Sequence, residues 1–401
     1  MSDRGRVRGN SSRNKASAGD QSHVRKLTTI EYADAESNPV PEQRSGHRIF
    51  VDSDYMYVIG GYTGVAPEGV ILREMWQLNL ITHRWTKLEI PSSFPTHLAS
   101  FSSCSNGFGE FLVYGGTDIP FGQHLDSHVY FGHVKDNQVH INRFTPQGNR
   151  PGSYGHVMVW DDEKKVYYTI GGTDGQEFRL DVYTLRKSGN GSIQTWNWAP
   201  VLSRYENGVY RMEATLDKGL IYLFGGGTPS MVNNFESLLV FDTKKGDFDT
   251  VFPSPDPEHG YPAGRRCHGL ARWGRIVVIT GGSSEDIRQG EGHQVRMFGD
   301  VWSFNLDSHE WKFICEMATP VFFHDSTVTK EGQLLVFGGV IDSRSQSRTN
   351  DTQSIWLDPP SLFTSALSKV SKRVPLREEF KMGDKDNLTR VLYNDIVTNA
   401  A

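Results

Sequence analysis

The sequence predicts an all-β protein, a ring of six four-stranded sheets followed by a short helical segment. Three observations carry this prediction. An apolar run leading into two adjacent glycines recurs six times, as "YMYVIGG", "FLVYGG", "YYTIGG", "IYLFGG", "VVITGG" and "LLVFGG". The first glycines of the pairs are Gly60, Gly115, Gly171, Gly225, Gly281 and Gly338, a period of 54–57 residues. The composition agrees, with 41 glycines and 11% aromatic residues, as turns between aromatic strands require. A period of this size built from short strands marks the blades of a propeller.

Each unit reads in the same order. A turn comes first, carrying a polar or basic residue and often a histidine: "RSGHRIF", "GSYGHVMVW", "RRCHGLARW", "FFHDSTV". The apolar strand with its glycine pair follows. Flanked by strands and by neighbouring blades, it is apolar on both faces. At its end the chain turns where blades crowd together, and glycine has no Cβ to clash there. A variable loop leads to an aromatic or β-branched strand ("EMWQLNL", "LDVYTL", "LLVFDT", "GDVWSFNL", "QSIWLD"), and often to a second aromatic one ("RWTKLEI", "WNWAPV", "EWKFICEM"). These large side chains fill the wedge between blades, and one blade alone cannot bury its own face.

The ends differ from the ring. Residues 1–25 hold Arg4, Arg6, Arg8, Arg13, Lys15 and Arg25 among Ser, Gly and Asn, a basic arm too polar to fold alone. The sixth copy stops at "SIWLDPP", where Pro359 and Pro360 block a further strand. The segment Lys26–Ala33, "KLTTIEYA", is expected to supply the missing fourth strand and leave no open edge. The propeller thus spans 26–358. In 359–401 glycine nearly vanishes and Leu362, Ala366 and Val370 fall four apart, with Phe363 and Leu367 on the same side. That is one apolar stripe on a helix, with Ser361 placed to cap it and Pro375 to end it. A second helix is expected over about 386–397.

Composition limits the function. The net charge is −5 with a pI near 6.3, so nothing global points to nucleic acid. No apolar run approaches the roughly 20 residues of a membrane span, and the charged N-terminus has no apolar region behind it. A cytoplasmic or nuclear protein is expected. Cys104, Cys267 and Cys315 lie far apart without a CxxC, so neither a disulfide framework nor a zinc cluster is expected. No cofactor is called for. A glycan hydrolase would need a carboxylate pair at fixed separation, and Glu206, Glu213 and Asp325 are scattered carboxylates with no motif around them.

Over Arg44 to Asp358 the repeat resembles the kelch motif, whose marks are the diglycine and a later tryptophan. Copies one and five fit best, and copy two has Tyr130 and Phe144 where tryptophans stand elsewhere. "SLFTSALSKV" resembles the box by which substrate receptors bind elongin C, with Ser361, Leu362, Ala366 and Val370 at its positions and alanine replacing the usual cysteine. "VPLREEF" and "NLTRVLYNDI" resemble the following box that selects cullin-2, with Val374 and Pro375 at its start. The resemblance implies a non-catalytic receptor subunit of a cullin-2, elongin B/C ubiquitin ligase. Such receptors capture substrates by their C-terminal residues, often ending in glycine. The alternative is a kelch scaffold in signalling or actin organisation.

A peptide C-terminus presents a carboxylate, which the arginine fork pairs through both oxygens. Loops on a rigid frame are where such a site belongs, and the blade-opening turns supply the candidates. Arg211, Arg265 and Arg266 are expected to hold the carboxylate, with Tyr154, Tyr210 and Phe323 as walls. His268 and His324 are grouped with them, although a histidine recurring in this turn also suits a backbone-bonding structural role. The turn "RYENGVYRMEA" offers two pairs, Arg204-Tyr205 and Tyr210-Arg211, and sequence alone leaves open which faces the channel.

Overall fold

The first strands of the six repeats touch one another in a closed circle, from Arg48–Val51 through Ser102–Ser105, Val157–Asp161, Glu213–Asp217 and Gly269–Trp273 to Asp325–Val328 and back. They are therefore the innermost strands of a six-bladed propeller. The computed structural model describes residues 26–361, apart from 34–36, 65–68, 107–108, 190–193, 204–207 and 289–291, and gives backbone only for 285–288 and 292–294. Every regular element among the described residues is a strand. The predicted C-terminal helices, with Leu362, Ala366, Val370, Val374 and Pro375, lie outside the described residues, as does the basic arm. Ser361 is the last described residue and is exposed.

Blade 1 shows the common order: Arg48–Val51, Tyr55–Ile59, Met75–Asn79 and Trp85–Lys87 form one antiparallel meander. Blades 2 to 5 repeat it. Blade 6 takes three strands from its own repeat, and its outer strand is Thr28–Thr29, which pairs antiparallel with Thr352–Trp356 in the register Thr28↔Ser354 and Thr29↔Gln353. The Tyr32 hydroxyl donates to the Asn350 carbonyl at 2.6 Å beside it.

The glycine-preceding strands are buried on both faces, as at Tyr55–Ile59 and Leu220–Phe224. Between blades 4 and 5, Trp311 is fully buried against Phe224, Phe235 and Phe304, and its indole N–H donates to the Phe235 carbonyl at 3.1 Å. Edge-on and tilted aromatic contacts of this kind supply much of the buried apolar area.

The glycine pairs have a definite physical cause. His47 stands between blades 6 and 1. A Cβ on Gly338 of blade 6 would lie 2.6 Å from its Cε1, and a Cβ on Gly61 of blade 1 would lie 2.9 Å from its Cβ. The same clamp holds His156 between Gly115 and Gly172, His268 between Gly225 and Gly282, and His324 between Gly281 and Gly339. At the remaining two junctions Met212 takes the histidine's place between Gly171 and Gly226, and Phe101 against Gly116 with Leu98 against Gly60. The diglycine is thus the socket for one wedge side chain per blade.

Candidate functional site

The residue just before each wedge builds a second ring. Gly46, Ser100, Gly155, Arg211, Cys267 and Phe323 all have φ between 55° and 65°. Each donates its backbone N–H to the carbonyl of its counterpart in the preceding blade, at 2.7–3.2 Å, and the circle closes from Gly46 to Phe323. Six N–H···O=C hydrogen bonds therefore encircle the central channel at one end. Glycine adopts this left-handed conformation without cost, whereas Ser100, Arg211, Cys267 and Phe323 are strained in it by roughly 1 kcal/mol or more each. Such strain concentrates at functional sites, which directs attention to the three large side chains.

Arg211 is the centre of this group. Its guanidinium carbon lies 4.2 Å from the ring centroid of Phe323 and 4.9 Å from that of Tyr210, close enough for cation–π attraction. Nη1 approaches the Cys267 sulfur at 3.8 Å. Its Nε is buried with no protein partner, and no carboxylate pairs with Arg211 among the described residues. An arginine held by aromatic faces without a counter-ion is a ready receptor for an anion.

The residues one position earlier form the rim: Ser45, Ala99, Tyr154, Tyr210, Arg266 and Phe322, each bridged to the strand just after a glycine pair. Tyr154 is half-buried, and burial raises its phenol pKa. Tyr210 is buried with its ring 4.7 Å from Phe178. Arg266 is mostly buried and donates to the Thr228 carbonyl at 2.6 Å. Beyond the rim, two-stranded ribbons rise from blades 1, 4, 5 and 6 on this face, including Tyr62–Thr63 with Val70–Ile71 and Val340–Asp342 with Ser347–Arg348. Arg348 sits 4.6 Å above the Tyr62 ring, and Tyr62 meets the exposed Phe121 edge-on at 5.0 Å. Sequence reasoning did not single out Tyr62, Phe121, Phe322, Cys267 or Arg348. Tyr62, directly after the first glycine pair, was the most findable.

Arg211, Arg266, Tyr154, Tyr210 and Phe323 thus lie together at one mouth. Three other predicted residues do not. Arg265 is fully buried inside blade 5, with both Nη atoms on the Asp300 carboxylate, at 2.5 and 2.8 Å, and Nη1 also on the Gly281 carbonyl at 2.9 Å. Arg44 makes the equivalent clasp in blade 1 with Glu74 and the Gly60 carbonyl. Arg265 is a strut, already paired, and is corrected to that role. His268 and His324 are wedges between blades rather than mouth residues. His324 Nε2 lies 2.8 Å from the Thr280 hydroxyl and 3.1 Å from the Gly269 N–H. Burial lowers the pKa of His47, His156 and His268 well below the usual histidine value and that of His324 to about 3. Arg204 and Tyr205 lie outside the described residues.

Behind the ring lies a cavity of about 40 Å³ that Arg48, Arg211, Glu213 and Cys267 help to line. It has room for a few water molecules. Arg48 Nη1 donates to Glu213 at 2.8 Å and approaches Asp325 at 3.4 Å. The two carboxylates that looked scattered in sequence therefore meet on one arginine. Among the described residues no group of three or more His, Cys, Asp or Glu side chains is arranged to hold a metal ion, and no helix is long and apolar enough to cross a membrane.

A closed ring of six diglycine-socketed blades with a one-sided, arginine-centred mouth defines a kelch propeller, and the chain belongs to the kelch-repeat family. The family described as "KLHDC2/KLHL20/DRC7 Kelch-repeats domain" matches residues 107–339, and the "Kelch motif" matches residues 43–91. Among individual proteins, the chain is similar to Kelch domain-containing protein 10 of Xenopus laevis, at 30% identity over 84% of this chain and 80% of that one. The human protein of the same name is 29% identical over 84% of this chain and 75% of its own length. The Drosophila melanogaster homolog is 29% identical, over 80% of this chain and 56% of that one. The solved structure of YjhT superposes with a TM-score of 0.58 at 15% identity, covering 80% of this chain and 97% of that one, a likeness of fold.

Proposed function

We propose that this protein is the substrate-recognition subunit of a cullin-2, elongin B/C ubiquitin ligase, and that its propeller captures the C-terminal carboxylate of a substrate protein at Arg211. The observation that carries the reading is Arg211 itself, lining the channel, cradled by Phe323 and Tyr210 and without a carboxylate partner among the described residues. The terminal carboxylate pairs with the guanidinium, with Arg266 beside it. A terminal glycine suits a mouth whose floor is backbone and whose cavity beyond is only about 40 Å³. Tyr154 and the Tyr62–Phe121 pair then face the residues before the terminus.

The role is binding without catalysis. Among the described residues, the acid pair in the channel, Glu213 and Asp325, is engaged by Arg48. The "SLFTSALSKV" segment from Ser361 to Val370 docks on elongin C, and the segment beginning at Val374-Pro375 selects cullin-2. The setting is the cytoplasm or nucleus, and neither nucleic acid nor membrane takes part.

Two measurements test this. Co-purification of elongin B and C with the wild type, lost in Leu362→Glu, supports the adaptor contact; equal recovery from both refutes it. A glycine-ended peptide should bind the full chain, and its C-terminal amide should bind more weakly by about 1.5–3 kcal/mol, the value of a charged hydrogen bond. Equal affinity for acid and amide removes the carboxylate from the recognition. In that case a scaffold role through the same aromatic mouth becomes the better reading.

A further inference from the structure

The first residue of each innermost strand directly follows a wedge, and those of blades 1 and 4 line the channel just behind the ring. In blades 2, 3 and 5 these residues are Ser102, Val157 and Gly269, which carry no charge; in blades 1, 4 and 6 they are Arg48, Glu213 and Asp325. Blades 1 and 4 stand opposite each other in a ring of six, so the Arg48–Glu213 contact crosses the axis. Asp325 has further support from the N–H groups of Ile49 at 2.8 Å and Ser326 at 3.0 Å. Arg48 is the single hydrogen-bonding partner of the Glu213 side chain among the described residues. Fully ionised, the three groups would hold a net charge of −1 in a largely covered space. Two carboxylates sharing one half-buried cation relieve this when the pair retains one proton.

We propose that Arg48, Glu213 and Asp325 form a one-proton floor to the channel, and that filling it strengthens anion binding at Arg211. The second half rests on the carboxylate-binding reading of Arg211; the first does not. Arg211 and Glu213 line the same small cavity, so removing a negative charge from the floor lowers the repulsion an incoming anion meets. Burial with only one arginine for two acids pushes Glu213 up to about 7 and raises Asp325 as well. The other groups facing this space are Arg211, Cys267 and the imidazoles of His47, His268 and His324, with His156 near Arg48. Burial keeps the four imidazoles neutral and the thiol protonated, and the arginines remain charged. Between pH 6 and 8 the acid pair alone changes charge here.

The experiment uses the full chain, Glu213→Gln and Asp325→Asn. Without ligand, the wild-type folding constant should gain about tenfold over Glu213→Gln between pH 8 and pH 6, because the folded chain takes up a proton that the unfolded chain does not. Identical pH slopes for wild type and both variants overturn the proton site. With an N-acetylated, histidine-free peptide ending in free glycine, wild-type affinity should rise roughly threefold or more over the same interval, and Glu213→Gln should show a flat profile. A flat wild-type profile overturns the coupling. A peptide that binds at neither pH overturns the Arg211 reading and the coupling with it, while the ligand-free slope still decides the proton site on its own.

Discussion

Acidification should unfold this propeller through its wedges. His47, His156, His268 and His324 are clamped between glycine pairs and kept neutral by burial. In the unfolded chain each titrates near pH 6.5. Their folded pKa values are depressed, so the stability they contribute is whole above about pH 6.5 and is lost as pH falls. At pH 5 each histidine favours the unfolded chain by about 2 kcal/mol, and four give about 8 kcal/mol. The Glu213–Asp325 floor acts in the opposite sense, because its raised pKa makes the folded chain take up a proton between pH 7.5 and 5; it offsets about 2 kcal/mol. Carboxylates with depressed pKa values, such as Asp300 and Glu74, lose their contribution mainly at still lower pH. The net loss is about 6 kcal/mol, comparable with the roughly 5–15 kcal/mol total of a typical domain. Urea unfolding followed by tryptophan fluorescence at pH 7.5 and 5.0 measures it directly. His268→Met isolates one wedge: Met212 fills the same position in blade 4, and both His268 ring nitrogens lack a protein partner. The variant should recover about 2 kcal/mol of the acid loss. A wild-type loss below about 2 kcal/mol, or a full loss retained in His268→Met, would refute the reasoning.

Arg265→Ala should destabilise the fold by about 3 kcal/mol, because it leaves the half-buried Asp300 carboxylate without its cation and with only the Trp302 indole N–H; thermal melting checks this, and glycine-peptide affinity of the folded fraction should be unchanged. Arg211→Gly should do the reverse. Blades 1 and 3 already carry glycine at this left-handed position, so stability should stay within about 1 kcal/mol of wild type while peptide affinity falls more than tenfold; a titration paired with a urea curve separates the two. Replacing Thr28 and Thr29 by proline removes the outer strand of blade 6 and should lower the melting temperature by several degrees, with limited proteolysis cutting first at blade 6.

Much of the fold was legible because its cause is local and repeated. The wedge forces two glycines at a fixed place in every blade, so the period is written in plain sight. The turn tyrosines and Arg211 could be chosen from their position in that period. Arg265 could not be told from Arg211 by the same means, since its partner Asp300 lies 35 residues on, in a strand whose facing is fixed only by packing. The axial triad was less accessible still. Arg48 meets residues 165 and 277 positions away, and only closure of a six-membered circle brings them together. The left-handed backbone at Cys267 and Phe323 had no sequence signal, because neither residue favours it.

The circle of peptide groups around the channel also fixes what the mouth lacks. Each of its six N–H groups is already given to the preceding blade, and the six N–H···O=C bonds run round the circle in one sense, so their in-plane dipoles nearly cancel. Unlike the end of a helix or a phosphate-gripping loop, this collar offers a visiting anion neither spare backbone donors nor a directed field. Whatever selectivity for negative charge resides there must come from side chains, and a change of one residue can erase it without disturbing the frame.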